Sequence, residues 1–313
     1  MRRLLDDISA CFDLDYRVRG VSVAELVRRF DIDLDNVSLD DWGTPGPVDQ
    51  TERASKGPVD LHYVPHLFPE MDLKLRLAHR LQYHLLPKEI PRDAPVQVSA
   101  VLESYCHLSG DLFGWEMTAD GELLIWILDM SGHGLETGLA SALIHLVIEA
   151  LCVSCRMDRL MGELNEALYH LTRPCGRTMY ATGFFLALGS DGAARYCSAG
   201  HLPALVSGAG GTLRELGSTS RPIGLFPGER FQVEQTRIEP SETLFLYTDG
   251  LVELTTHSGE LFGLDRLRDF LRRPGRGPRD LTGTLFSHIS ENHDMTQIDD
   301  DVTFVAAKVR EGR

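Results

Sequence analysis

Aspartates recur at the ends of apolar stretches in this sequence, each beside glycine or another acid. The four places are Ser109-Gly110-Asp111, Asp129 with Met-Ser-Gly-His-Gly after it, Thr248-Asp249-Gly250, and the three aspartates 299–301. A carboxylate that ends a buried strand is costly unless it is paired or bound to a cation. Glycine beside it allows a ligand and backbone carbonyls to approach closely. Because the donors are all oxygen, the pattern predicts a site for Mg²⁺ or Mn²⁺ rather than for zinc.

The spacing between the first two places predicts that their carboxylates face each other. If residues 119–121 form a three-residue hairpin loop with Gly121 in the left-handed conformation, the ladder places Asp111 opposite Asp129. Two carboxylates about 5 Å apart on facing strands repel, and a divalent cation between them would turn this repulsion into binding. A two-residue turn at 120–121 would instead shift the register by one and point the two side chains to opposite faces.

Shared carboxylates of this kind usually hold two ions about 4 Å apart, which activate a water for in-line attack on phosphorus. His133, four residues after Asp129, is either a general acid for the leaving oxygen or a loop residue. His201 is interpreted as a structural turn residue. Arg177 and Arg221 are candidate phosphate contacts. A metal-dependent phosphodiesterase of another fold remains an alternative, although such sites normally mix His with Asp.

The elements that position these aspartates are predominantly strands. Apolar and β-branched segments predict strands over 96–102, 112–117, 122–129, 181–188, 194–199, 204–207, 231–238, 243–247 and 302–309. Helices are predicted over 135–155, 158–171, 264–271 and 278–291. Short Asp-Gly turns favour antiparallel hairpins. Strands in blocks with helices in pairs predict an α+β fold with sheets covered by helices.

Ahead of this domain, residues 1–68 are predicted to form a small regulatory segment, followed by a linker helix over 69–87 and the main domain over 88–313. Leucines 73, 77, 81 and 85 form one stripe on the linker helix. The helix either packs on its own domain or forms a dimer contact or signal-transmitting element, and both alternatives stay open.

Charge and composition exclude several classes of function. A formal charge of −15 repels nucleic-acid backbones and anionic lipid, so no nucleic-acid partner is expected. No apolar run approaches the roughly 18 residues that a spanning helix needs, and the N-terminus turns acidic before any signal-type apolar stretch, so we expect a cytoplasmic protein without membrane insertion. Cys152 and Cys155 are expected to be reduced thiols rather than zinc or redox ligands.

A series of short motifs runs in order along the main domain. They are Leu81-Gln-Tyr-His-Leu-Leu-Pro87, Ser109-Gly-Asp-Leu-Phe113, Asp129-Met-Ser-Gly-His-Gly134, Tyr196-Cys-Ser-Ala-Gly-His201, Pro222-Ile-Gly-Leu225, Tyr247-Thr-Asp-Gly-Leu-Val-Glu253, Gly259-Glu-Leu-Phe-Gly263 and Asp300-Asp-Val-Thr303. Together, from about residue 81 to 309, they resemble the SpoIIE/RsbU-like branch of the type 2C (PPM) serine/threonine phosphatases.

The resemblance implies an αββα sandwich of two mainly antiparallel sheets, with a metal site between the sheet edges. It implies that Asp129 bridges two Mn²⁺ or Mg²⁺ ions, with the Met130 carbonyl assisting one. Asp249 and Asp300 would hold the second ion, and Asp111 would lie in the acidic ring nearby. Asp300 matches the family spacing, but the run 299–301 leaves the ligand uncertain by one residue.

The resemblance also implies a function. The chain would be a metal-dependent phosphatase without an enzyme nucleophile. Its substrate would be a phosphorylated anti-sigma-factor antagonist from a partner-switching pathway. An upstream regulator at the N-terminal segment and a homodimer are further expectations. The alternative within the same fold is a catalytically weak binding module.

Overall fold

The structure is a computed structural model that describes residues 69–87, 90, 94–132, 134–153, 156–173, 179–256, 259–273, 277–293, 295 and 298–310. The chain divides into two units, Met1–Lys74 and Leu75–Arg313. Apart from the first six residues of the first helix, the described residues lie in the second unit. The expectations for residues 1–68, for His133 and for Arg177 lie outside the described residues.

Ten strands and six α-helices are present in the described residues. The strands are β1 (Val96–Glu103), β2 (Leu112–Met117), β3 (Leu123–Met130), β4 (Ala181–Leu188), β5 (Ala193–Ala199), β6 (Ala204–Ser207), β7 (Leu213–Leu216), β8 (Glu234–Arg237), β9 (Thr243–Tyr247) and β10 (Val302–Val309). The helices are α1 (Pro69–Leu85), α2 (Leu135–Cys152), α3 (Met157–Thr172), α4 (Asp249–Glu253), α5 (Gly263–Leu271) and α6 (Pro278–Asn292).

The strands form two five-stranded sheets. Sheet I has the order β1-β10-β9-β6-β7, and sheet II has the order β2-β3-β4-β5-β8. Every pair of neighbouring strands within the sheets is antiparallel. This architecture confirms the predicted α+β class and the two antiparallel sheets.

Three apolar clusters separate four layers of secondary structure in the second unit. The first joins the facing sides of the sheets, with Ile125 and Ile127 of sheet II and Leu246 and Val305 of sheet I among its members. The second lies between the outer side of sheet II and the helices α2 and α3. The third lies between the outer side of sheet I and the helices α4, α5 and α6. The helix–sheet–sheet–helix sandwich is therefore confirmed.

Helix α2 corrects one expectation from the sequence. Its 18 residues have a mean hydropathy of 1.6, so by length and composition it matches a membrane-spanning helix, contrary to the expectation that no run comes close. In the fold, Ile144, Ile148 and Cys152 lie in the cluster between α2, α3 and sheet II. The apolar content of α2 is explained by this packing, which belongs to a core helix.

The β2–β3 hairpin has the register that the three-residue loop predicts. The Thr118 N–H donates to the Glu122 carbonyl at 2.9 Å, and Gly121 has a φ of +79°. Leu112 pairs with Leu128. One further step of the same ladder places Asp111 opposite Asp129. Both side chains therefore point between the sheets at the same end of the sandwich.

Gln82 makes most of the side-chain hydrogen bonds that connect helix α1 with the main domain, beside a contact of 2.7 Å between His79 Nδ1 and the His107 carbonyl oxygen. The Gln82 side-chain amide donates to the carbonyls of Ser109 (2.7 Å) and Gly138 (3.1 Å) and to the Ser141 hydroxyl (2.8 Å). Its side-chain oxygen accepts from the Ser109 N–H at 2.9 Å. Gln82 thus ties α1 both to the segment just before Asp111 and to the first turns of α2.

Candidate metal centre

The ends of four strands, two from each sheet, lie at one end of the sandwich. In sheet II, Asp111 directly precedes β2, and Asp129 is the second-last residue of the neighbouring strand β3. In sheet I, Asp249 starts α4 directly after the Thr248 that follows β9, and the aspartates 300 and 301 precede the neighbouring strand β10. Because adjacent strands are antiparallel, the end of one lies beside the start of the next. The sequence-predicted aspartates are thereby brought together.

Asp111 is the deepest member of this acidic group. It is 4% exposed, and one of its carboxylate oxygens accepts a hydrogen bond from the Thr248 hydroxyl at 2.8 Å. The same hydroxyl accepts from the Thr303 N–H at 3.1 Å, which holds it on the sheet I side. Its hydrogen bond to Asp111 therefore joins the two sheets. Burial raises the pKa of Asp111 well above its ordinary value. The charges of Asp129 and Asp301 raise it further, against the opposing effect of the threonine hydroxyls.

Asp129 and Asp300 are also poorly stabilised as anions. Burial, followed by the charges of Asp249, Asp300 and Asp301, raises the pKa of Asp129 to about 8. Burial is also the largest cause for Asp300, whose pKa rises to about 6 with contributions from Asp249, Asp301 and Glu253. A divalent cation at this position would relieve the repulsion and return these groups to their ionised form.

Asp301 has a different role from Asp300. One of its carboxylate oxygens accepts from the Tyr105 N–H at 2.8 Å. The other accepts from the N–H groups of Gly110 (2.7 Å) and Asp111 (3.3 Å). The carboxylate therefore holds the segment that leads into β2. Asp300 lies at the rim of the acidic group, where the residue keeps exposed surface while its carboxylate is partly desolvated, and that carboxylate accepts the Asp301 N–H at 2.8 Å.

Two glycines keep the backbone close to these carboxylates. A Cβ on Gly250 would overlap the Asp301 carbonyl oxygen, so α4 packs directly on the chain that carries the aspartates 300 and 301. A Cβ on Gly110 would lie 3.5 Å from the carbonyl oxygens of Met130 and Gly132 and 3.0 Å from the side chain of Thr137. The Met130 carbonyl, which the resemblance names as a ligand, thus lies beside the Gly110-Asp111 segment.

The donor set fits Mg²⁺ or Mn²⁺, although the side chains are not gathered into a closed cage. No group of three or more His, Cys, Asp or Glu side chains in the described part of the chain is placed to hold one ion. Mg²⁺ usually takes one or two protein carboxylates and keeps several waters, so it does not require such a cage. Carboxylates that repel one another are also expected to spread apart until a cation draws them together.

A cleft of about 200 Å³ opens beside this acidic group. It is lined by Asp129, Thr182, Gly200, His201, Leu202, Pro203 and Asp249. Burial lowers the pKa of His201 to about 4, and the Tyr247 backbone carbonyl only partly opposes this shift, so the imidazole is neutral at neutral pH. His201, interpreted from sequence as a structural turn residue, lies in the connection between β5 and β6 and forms part of the cleft wall.

Comparison with known proteins agrees with this geometry. The family model described as "Stage II sporulation protein E (SpoIIE)" matches residues 119–310. The chain belongs to the SpoIIE family. Within the PP2C-type serine phosphatases, this SpoIIE-family chain falls in the RsbU/RsbP-like branch.

Among relatives of this SpoIIE-family chain, the phosphoserine phosphatase RsbP of Bacillus subtilis is 31% identical over 242 residues. The match covers 76% of the chain but only 58% of RsbP. The SiaA-PP2C domain of Pseudomonas aeruginosa shares the fold with a TM-score of 0.66 at 20% identity, over 78% of this chain and 99% of that domain. The structure of RsbX in complex with magnesium shares the fold with a TM-score of 0.54 at 17% identity, over 71% of this chain and 98% of RsbX.

Sequence reasoning missed Thr248, and it considered Asp301 only as a possible ligand rather than as a support. Both act through contacts between distant segments, and only their position beside predicted ligands could have signalled these roles. Arg221, a candidate phosphate contact, lies over the Phe226 ring at 5.4 Å and within 3.5 Å of the Glu229 carboxylate. It is not among the residues that line the acidic cleft.

Proposed function

We propose that this chain is a Mn²⁺- or Mg²⁺-dependent phosphoprotein phosphatase that hydrolyses phosphoserine or phosphothreonine. The observation that carries the proposal is the convergence of Asp111, Asp129, Asp249 and Asp300 at one end of the sandwich. Burial and mutual repulsion raise the carboxyl pKa values of three of them, Asp111, Asp129 and Asp300. Such an arrangement is unfavourable for folding on its own and favourable for cation binding.

Each residue has a proposed role. Asp129 would bridge two ions with help from the Met130 carbonyl, and Asp249 with Asp300 would hold the second ion. When bound, the ions would neutralise charge on the phosphoryl group and activate a water. Asp111 would shape the acidic ring, fixed by the Thr248 hydroxyl. The full engagement of Asp301 with three backbone amides supports Asp300 as the ligand within the run 299–301.

We further propose that the substrate is a phosphorylated anti-sigma-factor antagonist. The support is the resemblance of the motifs to the RsbU-like branch and the similarity to a phosphoserine phosphatase, RsbP. The N-terminal segment would receive the regulatory signal, and a homodimer would form through the linker helix. Incubating the chain with candidate phosphorylated antagonists from its own genome, and following loss of the phosphate by mass spectrometry, tests this assignment.

The basic activity is tested with a generic aryl phosphate and increasing Mn²⁺. We expect turnover that requires the ion and is abolished by EDTA. Mn²⁺ binding without turnover would favour the catalytically weak binding module. Hydrolysis of an aryl phosphodiester but not of the monoester would favour the phosphodiesterase alternative.

The proposed reaction has no covalent enzyme intermediate, because the ligand set is built from oxygen donors and the sequence contains no Cys or Ser nucleophile motif. Acid quenching during turnover of a ³²P-labelled phosphoprotein should therefore leave no label on the enzyme. A trapped phosphoenzyme would contradict direct attack by water.

A further inference from the structure

The loop over residues 221–230, here called the rim loop, adjoins the acidic cleft. Pro222 packs on Gly200, which lines the cleft, so closely that a Cβ on Gly200 would come within 2.6 Å of the proline ring. Ile223 forms an antiparallel bridge with Ala181, and its N–H donates to the Ala181 carbonyl at 2.8 Å. Ala181 is the first residue of β4, and the next residue of that strand lines the cleft. The rim loop therefore begins at the edge of the cleft.

Helix α3 fixes the backbone of the rim loop. The side-chain amide of Asn165, which is fully buried, accepts from the Gly224 N–H at 2.8 Å and donates to the Phe226 carbonyl at 2.9 Å. The neighbouring Glu166 carboxylate accepts from the Gly228 N–H at 2.7 Å. Gly224 and Gly228 have φ values of +81° and +66°, a conformation in which a side chain is strained. The loop is thus tied to α3 on both sides of Phe226.

Phe226 presents an aromatic ring to solvent from this fixed backbone. The residue is 46% exposed, and the Arg221 guanidinium lies over its ring at 5.4 Å. Tyr180, which directly precedes β4, is 37% exposed and gives the same edge of the cleft a second aromatic side chain. Aromatic rings are enriched among the residues that anchor protein contacts. An anchor on a fixed backbone also loses little conformational freedom when a partner covers it.

A protein whose phosphoserine enters the cleft brings its flanking residues close to this ring. Paired strands lie about 5 Å apart and one residue spans at most about 3.6 Å, so Phe226 lies within about 20 Å of the cleft wall at residue 182. An extended peptide covers that distance in about six residues. Phe226 is therefore within reach of the chain on one side of the phosphoserine.

We propose that Phe226 is a docking residue for the phosphoprotein substrate, and that it packs against an apolar side chain within about six residues of the phosphoserine. This inference rests on the proposed phosphatase function. The metal centre would bind the phosphoryl group, which every phosphoserine carries. The rim loop would contact the residues beside it, and it would thereby select among phosphoproteins.

Phosphoserine peptides of about 15 residues test the contact. Each has a Ser/Gly background and a single Leu, placed at each position up to about six residues from the phosphoserine, and the reference peptide has no Leu. The full chain with Mn²⁺ is assayed as wild type, Phe226→Ala, Phe226→Leu and Val153→Ala. Val153 is the matched control, because it is 43% exposed and its carbonyl accepts from Ala119 in the β2–β3 hairpin loop, at the opposite end of β3 from Asp129.

We expect one or more Leu positions to raise kcat/KM of the wild type above that of the reference peptide by about 5- to 10-fold, a usual effect of one apolar side chain in a protein contact. Phe226→Ala should lose this preference through KM, and Phe226→Leu should keep most of it. Val153→Ala should behave as the wild type does. Aryl phosphate turnover and melting temperature should be alike in all four, because the described residues that line the cleft do not include Phe226.

A wild type that hydrolyses every peptide equally, or a Phe226→Ala variant that keeps the preference, would overturn the inference. A preference lost together with aryl phosphate turnover would also overturn it, because that result describes a structural residue. A lower mass of Phe226→Ala by light scattering, with the preference unchanged, would assign the ring to a contact between copies of this chain instead.

The proposed function fails separately, if the wild type with Mn²⁺ hydrolyses neither the peptides nor the aryl phosphate. Fluorescence anisotropy of the same peptides, labelled and titrated with the Mn²⁺-loaded chain, then decides the docking contact. Tighter binding of the Leu peptides that is lost in Phe226→Ala supports the contact, and equal binding of all peptides contradicts it.

Discussion

Asp300 and Asp301 are neighbours in sequence, yet their carboxylates face different partners. Asp301 is 8% exposed, and both of its oxygens accept backbone N–H groups from residues 105–111. Asp300 keeps more exposed surface than Asp301, and its partly desolvated carboxylate is repelled by Asp249. At the residue scale, the proposed cation binding by Asp300 would thus be separated from the structural role of the adjacent Asp301.

This division predicts opposite results for two matched substitutions. In Asp301→Asn the new amide must place an NH₂ group against a backbone N–H, because both oxygens are acceptors. The free energy of unfolding in EDTA should therefore fall by about 1–3 kcal/mol. Asp300→Asn removes a repelled charge, so it should leave that free energy unchanged or higher while weakening Mn²⁺ binding. Chemical denaturation and Mn²⁺ calorimetry of both variants measure the two effects. The reverse pattern would make Asp301 the ligand.

The sequence was sufficient to find the clustered aspartates but not their supports. A strand-terminal Asp beside glycine is a local pattern, and the hairpin loop length gave the pairing of Asp111 with Asp129. The Thr248 hydroxyl reaches Asp111 across 137 positions of sequence. No local pattern encodes such a contact, because it depends on how the two sheets stack.

At the scale of elements, most strands were predictable because their residues alternate or run apolar between turn residues. β2, β4, β6, β9 and β10 have the predicted bounds. β7 was missed because two of its four residues are charged, and α4 because its five residues begin with Asp-Gly. The strand predicted over 231–238 forms only at Glu234–Arg237, because only these four residues pair with the neighbouring strand β5.

Helix α4 gives a prediction at this scale. Gly250→Ala would place a methyl group onto the Asp301 carbonyl oxygen, so α4 must shift and carry Asp249 away from Asp300. We expect a lower melting temperature and weaker Mn²⁺ binding. Gly162→Ala in α3 is the matched control, because a Cβ there meets nothing within 4 Å. The control should keep Mn²⁺ affinity and stay level or gain stability. Equal behaviour of the two variants would contradict the close packing of α4.

Helix α1 gives a second prediction at the scale of elements. Leu77 and Leu81 are only half-buried in the described part of the chain, although they belong to the leucine stripe. If they contribute to a dimer contact or receive the N-terminal segment, replacing both with Glu should change the mass by light scattering or the basal turnover. His84→Glu, at an exposed position of the same helix, is the control. If mass and turnover are both unchanged in a folded protein, the helix only packs on its domain.

At the scale of the whole molecule, the acidic centre links folding stability to pH. The pKa of Asp129 is raised to about 8 and that of Asp300 to about 6, so the folded state binds more protons than the unfolded chain above pH 4. Stability from these groups is complete below about pH 4 and is lost as the pH rises through 6 and then 8. Melting temperatures of the metal-free protein should therefore decrease over this range.

The same melts with Mn²⁺ provide the comparison. A bound cation stabilises the ionised carboxylates, so the decrease between pH 6 and 8 should largely disappear when Mn²⁺ is present. The decrease in melting temperature should also be smaller in metal-free Asp129→Asn, because this variant has lost the carboxyl group with the higher of the two raised pKa values. A metal-free wild type whose stability is flat or rises from pH 5 to 8 would contradict the repulsive arrangement.

The central claim is that Asp129 bridges two catalytic cations, and one comparison tests it most directly. Asp129→Asn and the wild type are compared in single-turnover hydrolysis of an aryl phosphate with Mn²⁺, beside thermal melts in EDTA and in Mn²⁺. Losing a shared ligand should lower turnover by about 10³-fold or more. Stability in EDTA should stay level or rise, because repulsion from Asp249 and Asp300 is relieved. A variant that melts early in EDTA yet keeps near-normal turnover per folded molecule would contradict the account.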